Sequence, residues 1–221
     1  MKNVFKNKIA LNYFSLAGIL ACVFYLLHDI IGAQYYPGYD FLSQAVSDLT
    51  ASDAPSRMVA GGLSNVYGSL SLISSMAIVL LVKQQYNKTL RIGIYLFATM
   101  NLVSNLGYSL FPLSTSGHAG TFQDIMHLYV VTVSVVLLSI SSLLLITIGG
   151  LKKNNGRKSL SYIALIALLL MMSGAIFSNL VDPSIFGLIE RFSTYSAVLF
   201  TGVLGIYGYQ MDGTSTIQSS E

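Results

Sequence analysis

Leu160-Ser161-Tyr162-Ile163-Ala164-Leu165-Ile166-Ala167-Leu168-Leu169-Leu170-Met171-Met172-Ser173-Gly174-Ala175-Ile176-Phe177-Ser178-Asn179-Leu180-Val181 lies between Lys158 and Asp182 without one Asp, Glu, Lys, Arg or His. A helix needs about 20 mostly apolar residues to cross the hydrocarbon core of a bilayer. This stretch meets that length, and its ends are marked by charge. Five more stretches of the same kind flank it: Ile9–Ile31, Met58–Val82, Ile92–Phe111, Phe122–Gly149 and Leu188–Tyr209. All connectors are short except Gly32–Arg57. The expected fold is therefore all-α: one six-helix transmembrane bundle over residues 1–221, with a disordered tail at 211–221.

Composition agrees. Apolar residues make up 53% of the 221 and charged residues 10%, with a mean hydropathy of +0.66. A soluble domain carries about 25% charge. The deficit excludes an ordinary soluble enzyme, a disordered chain and a nucleic-acid binder. The basic start Met1-Lys2-Asn3-Val4-Phe5-Lys6-Asn7-Lys8 resembles a signal-peptide flank. The apolar run after it is too long for an h-region of about 7–15 residues, so it is expected to stay as a span. Cys22 is the single cysteine, which excludes an intrachain disulfide.

Basic residues assign sidedness, because Lys and Arg concentrate on the cytoplasmic side. With the N-terminus inside, Lys2, Lys6, Lys8, Lys83, Lys88, Arg91, Lys152, Lys153, Arg157 and Lys158 are cytoplasmic, and only Arg57 and Arg191 are outside. Both termini are expected in the cytoplasm of a prokaryotic cell membrane. The net charge of +3 then reflects inner loops facing anionic lipid headgroups.

The acids follow a different map. Asp29, Asp40, Asp48, Asp53, Asp124, Asp182 and Glu190 fall toward the outer face, with His28, His118, His127 and the amides Asn65, Asn105 and Asn179. A charge at mid-span costs about 2.5–3.5 kcal/mol, so polar groups gathered at one depth point to a shared outer cavity. Tyr25 lies three residues before His28 and four before Asp29, within reach of either on a helix. Asp124 and His127 share a face for the same reason. Arg191, the only base at an outer helix mouth, needs a carboxylate such as Asp29, Asp124 or Glu190. Gly61, Ser64, Gly68, Ser71 and Ser75 form a stripe of small residues that fits close packing to a neighbouring span. Fourteen Tyr and no Trp form aromatic belts, with Tyr35, Tyr36, Tyr39 and Tyr108 at the outer boundary.

The long connector opens with the turn Pro37-Gly38. Asp40 or Ser43 can cap a short interfacial helix carrying Leu42, Ala45, Val46 and Leu49 on one side, a lid over the polar cluster. Tyr36-Pro37-Gly38-Tyr39-Asp40, Leu42-Ser43-Gln44 and Ser47-Asp48-Leu49 resemble the signature of a prokaryotic membrane family, domain of unknown function 998. Gly107-Tyr108-Ser109-Leu110-Phe111-Pro112, then Gly117-His118 with His127, then Gly187-Leu188-Ile189-Glu190-Arg191 follow in the same order. The resemblance implies the span number and size of that family, and no reaction.

Two functions of different class fit these residues. One is a non-enzymatic module binding a lipid headgroup or small molecule from the outer side, through His28, Asp29, Tyr36, Asp40, Ser43, Asp48, Asn105, His118, Asp124, His127, Glu190 and Arg191. It needs no cofactor, and its partners are membrane lipids and a small ligand. The other is a metal-assisted outer-leaflet hydrolase. His28, His118 and His127 could hold zinc, with Asp29 or Glu190 as general base. No H-x-x-x-H motif accompanies the histidines. A variant using Ser43 or Ser47 with a histidine lacks a G-x-S-x-G elbow. The plain alternative is an Arg191–acid pair that merely stabilises the bundle mouth. A continuous pore is not expected, because the inner halves of the spans are aliphatic apart from Ser and Thr.

Overall fold

A computed structural model describes residues 2–83, 85–115, 120–178 and 180–211, with side chains from residue 8 onward. The helices are α1 (Lys2–Ser15), α2 (Ala17–Gln34), α3 (Arg57–Val82), α4 (Lys88–Leu110), α5 (Phe122–Ile125), α6 (Val133–Leu151), α7 (Lys158–Phe177) and α8 (Phe186–Tyr209). A π-helical segment, Met126–Thr132, joins α5 to α6 without interruption. No strand occurs among the described residues. Four segments are long and apolar enough to cross a membrane: Lys8–Gln34, Arg57–Val82, Phe122–Leu151 and Lys158–Phe177. The helices α4 and α8 are of span length, at 23 and 24 residues, with more polar side chains.

The helices form a closed ring. Starting from α2, each packs on the next in the order α3, α4, α6, α7 and α8, and α8 returns to α2. The ring is dry at the end where α3 leads into α4. There Leu90, Ile94, Phe97, Leu143, Ile146, Leu160 and Phe200 are buried, with the Phe97 and Phe200 rings 5.1 Å apart. The outward faces are apolar as well: Leu80 on α3 and Leu169 on α7 are each about 60% exposed. Water would leave such faces as a large association patch, whereas lipid covers them.

The first apolar stretch is broken rather than continuous. Leu16 N–H bonds the Tyr13 carbonyl at 3.0 Å and Ile19 N–H bonds the Leu16 carbonyl at 2.9 Å. These three-residue spacings tighten the turn and leave the Ser15 carbonyl to accept Ser74 Oγ at 2.7 Å. The break sits where α8 crosses closely. A Cβ on Gly205 would lie 2.5 Å from the Ser15 carbonyl oxygen, and one on Gly18 would lie 2.7 Å from that of Thr201. Only glycine allows this approach in lipid.

A polar seam runs down α3 toward the dry end. Asn105 Nδ2 donates to Ser71 Oγ at 3.0 Å, and Asn101 Nδ2 to Ser75 Oγ at 3.0 Å. A cavity of about 10 Å³ lies beside Asn101, Ser75 and Thr201, room for one water. Gly68, Ser71 and Ser75 of the small-residue stripe make this α3–α4 contact. Gly61 meets nothing within 4 Å of a built Cβ, so the stripe packs along part of its length only.

The connector after α2 differs from the expected amphipathic helix. Only Val46–Thr50 is helical, as a five-residue 3₁₀ turn. Upstream, Asp40 accepts Leu42 N–H at 3.0 Å and Ser43 Oγ at 2.7 Å, while Gln44 Oε1 accepts Asp40 N–H at 2.7 Å. These local side-chain bonds compete with a helical ladder. The Phe41 and Gln44 carbonyls are also drawn off by Arg191, so a regular helix cannot include them. Of the tail expected at 211–221, Met211 is instead buried, its carbonyl accepting Asn12 Nδ2 at 2.9 Å, and 212–221 lie outside the described residues.

Candidate functional site

Arg191 is the anchor of the mouth formed by α2, α8 and the connector. It stands on the second turn of α8 and is 2% exposed, and Asp29 on α2 is fully buried. Nε donates to Asp29 Oδ2 and Nη2 to Asp29 Oδ1, both at 2.8 Å, the bidentate geometry that guanidinium and carboxylate favour. Nη1 donates to the carbonyls of Phe41 at 2.9 Å, Gln44 at 3.1 Å and Gly187 at 2.8 Å, and Nη2 to Tyr39 Oη at 2.8 Å. Tyr195 Oη donates to Asp29 Oδ2. The Phe41 ring lies over the guanidinium at 3.7 Å. Every polar hydrogen of Arg191 thus has an acceptor inside the protein. The pair is a fastening between α2 and α8 that also holds the connector down.

That fastening explains the motif Gly187-Leu188-Ile189-Glu190-Arg191. Leu188 N–H bonds the Leu42 carbonyl at 3.0 Å, and a Cβ on Gly187 would strike the Gln44 backbone, 2.2 Å from its carbonyl oxygen. Outside the spans, the Ser43 hydroxyl and then the Leu42 N–H hold the Asp40 carboxyl below its usual range. Burial pushes the Tyr39 phenol up, against the Arg191 charge that pulls it down.

Glu190 is placed differently from Arg191. Its Oε2 accepts Val46 N–H at 3.2 Å and its Oε1 accepts Thr194 Oγ1 at 3.4 Å, both long and both from neutral donors. No basic side chain among the described residues pairs with it. Within electrostatic reach of it lie the opposite charge of Arg191 and the like charges of Asp29 and of Asp48, whose Oδ2 accepts Ala45 N–H at 3.1 Å. Tyr25 and Tyr108 lie within the same reach of Glu190. Tyr25 is the hub of an aromatic cluster: its ring meets Tyr67 at 4.9 Å, His28 at 5.4 Å and Tyr195 at 6.2 Å, all edge-on. His28 is 3% exposed, and neither ring nitrogen has a hydrogen-bond partner. The surfaces of Tyr67, Asn105, Tyr108, Glu190, Thr194 and Tyr195 stay partly accessible.

The remaining predicted residues form a second group at the start of the α5–α6 helix. Asp124 is buried and accepts Ser114 N–H at 2.8 Å, Ser114 Oγ at 2.6 Å, Thr121 N–H at 3.0 Å and Thr121 Oγ1 at 2.9 Å. It serves as a helix cap with Thr121. His127 Nδ1 donates to the Phe111 carbonyl at 2.7 Å, and its ring lies 4.7 Å from that of Tyr108. Both His127 and Thr132, whose Oγ1 bonds the His127 carbonyl at 2.8 Å, belong to the π-helical segment. Tyr36 packs on the small cluster of Ala51, Ala54 and Leu113. His118 lies outside the described residues. Among the described residues, no three His, Cys, Asp or Glu side chains converge as a metal ion requires. The space expected to open beneath the connector is occupied by Arg191, Tyr39 and the backbone of 41–46.

Tyr39 and Tyr195 escape a sequence reading that places tyrosines in interface belts. Tyr195 carries one cue, since it sits four residues after Arg191 and so on the same helix face. No curated protein and no solved structure matches the chain. Residues 19–207 match the family described as protein of unknown function DUF998, a span that includes the connector, the Asp29–Arg191 fastening and the Tyr25 hub. With its apolar spans, this multi-pass membrane protein of unknown function belongs to the DUF998 family.

Proposed function

We propose that the chain spans the cell membrane six times with both termini cytoplasmic. In this reading it binds a lipid headgroup or small polar molecule at the end of the ring that carries Asp29 and Glu190. The binding surface is the Tyr25 hub with His28, Glu190, Tyr67 and Tyr108, beside the Asp29–Arg191 fastening rather than on it. The observation that carries this reading is His28. A buried polar group without a partner costs about 1–3 kcal/mol, and such groups in native proteins call for a bound molecule or water. Here two ring nitrogens of one side chain are in that position. The surrounding fastening supports a binding module over a hydrolase, because Asp29 and Arg191 spend their hydrogen bonds on one another and on the backbone.

The test is thermal unfolding of delipidated protein in detergent, alone and with total membrane lipid extract or a low-molecular-weight cell filtrate. Wild type gains stability from one of these additions. His28→Phe keeps the wild-type midpoint without additions, since an apolar ring of similar size replaces an unsatisfied one, and loses the gain. An equal gain in His28→Phe, or no gain in wild type, overturns the reading.

A further inference from the structure

Resting on that binding surface, we infer that its ligand is a primary ammonium, that of a phosphatidylethanolamine headgroup or of free ethanolamine. Charge is the first reason. Asp29 and Arg191 cancel one another, and Glu190 is held only by a backbone N–H and a threonine hydroxyl. The Arg191 charge reaches Glu190 as well, but its hydrogen bonds go to Asp29, Tyr39 and the backbone, so this half-buried carboxylate has no directly bonded cation.

Ring chemistry is the second reason. Aromatic faces attract organic cations, by about 0.5–2 kcal/mol each, and Tyr25 brings the rings of Tyr67 and Tyr195 together next to this carboxylate. A metal ion asks instead for converging His, Cys, Asp or Glu ligands, which the described residues do not offer.

His28 supplies the third. A neutral imidazole has one N–H donor and one lone-pair acceptor, and both are unused here. The two nitrogens face opposite sides of the ring, so a small ligand meets one of them, and an N–H donor satisfies the lone-pair nitrogen. An ammonium does so, its charge shared with Glu190 across the Tyr25 ring that neighbours both.

The experiment uses the full chain in nanodiscs of phosphatidylglycerol, which has no ammonium. One arm dopes phosphatidylethanolamine into the discs, a second adds ethanolamine to the buffer, and a third adds glycerol. The readouts are the unfolding midpoint and the intrinsic tyrosine emission, unmasked because the chain has no Trp. A rise in midpoint with either amine and not with glycerol supports the proposal. The responding arm tells a lipid headgroup from a free amine. Glu190→Gln keeps an oxygen for the Val46 N–H and is expected to weaken the apparent affinity at least ten-fold. His28→Phe is expected to do the same. Silence in both amine arms of wild type overturns the ammonium assignment, as does a response that Glu190→Gln leaves unchanged. If total lipid extract still stabilises wild type through His28, the binding surface stands and only the ligand class falls. If the extract and cell filtrate are silent too, both fall together.

Discussion

Removing Arg191 tests whether the mouth formed by α2, α8 and the connector is fastened rather than open. Arg191→Met takes away two bonds to Asp29, three to the carbonyls of Phe41, Gln44 and Gly187, and one to Tyr39. Asp29 is then left fully buried, with the Tyr195 hydroxyl as its donor. Breaking one side of a buried ion pair costs about 3–5 kcal/mol. The connector's carbonyls lose their donor in addition, which places this variant at the upper end, about 5 kcal/mol. Asp29→Asn costs less, about 3 kcal/mol, because the guanidinium keeps its carbonyl acceptors. Asp29→Leu with Arg191→Met removes both charges, and the double variant is expected to be no worse than Arg191→Met alone. Taking about 3 kcal/mol for loss of the Asp29 charge alone, the coupling would then be at least about 3 kcal/mol. Unfolding titrations in mixed micelles give the energies. Limited proteolysis within residues 39–48 reads the loosened connector, faster in Arg191→Met and unchanged in Asp29→Asn. If Asp29→Asn stays within about 0.5 kcal/mol of wild type, or the double variant is worse than Arg191→Met alone, the fastening is not what holds the mouth.

Three further outcomes are expected. Gly205→Ala drives a methyl toward the Ser15 carbonyl, 2.5 Å away, and costs about 1–3 kcal/mol; Gly61→Ala, with open space around it, stays within about 0.5 kcal/mol. Asp124→Ala strips a helix cap and the Ser114 and Thr121 bonds, for a loss of about 1–2 kcal/mol in the same unfolding assay. The folded-state pKa of Asp40 is depressed, so its contribution is present above the unfolded value of about 3.9 and disappears as pH falls through the folded value. Proteolysis of the 39–44 turn should therefore quicken on acidification below about pH 4, and Asp40→Asn should flatten that dependence.

Helix positions are legible in the sequence because a bilayer imposes a length. The stretches 58–82, 160–181 and 188–209 lie close to the observed α3, α7 and α8. The breaks are not legible, since the turn at Leu16 depends on Ser74 and Gly205 arriving from other helices. Of the site, the need of Arg191 for an acid could be read from hydropathy and charge alone. Which acid answers it could not, because Asp29, Asp124 and Glu190 all lie near helix mouths. Asp124 instead takes neighbours close in sequence, Thr121 from its own turn and Ser114 ten residues before it. The connector misleads for a related reason: Leu42, Ala45, Val46 and Leu49 keep a helical spacing, while the hydrogen bonds of Asp40 and Arg191 dictate the backbone.

Asp29 and Arg191 are 162 residues apart in the chain, which orders events during synthesis. At about 5–20 residues per second, roughly 8–30 s separate their emergence. Throughout that interval the first apolar helix holds an acid with no counter-charge, a penalty of about 2.5–3.5 kcal/mol for a membrane-embedded carboxylate. Asp29 therefore stays without its partner until α8 packs on α2. A chain truncated before α8 keeps Asp29 without that partner, a buried acid that the complete protein neutralises.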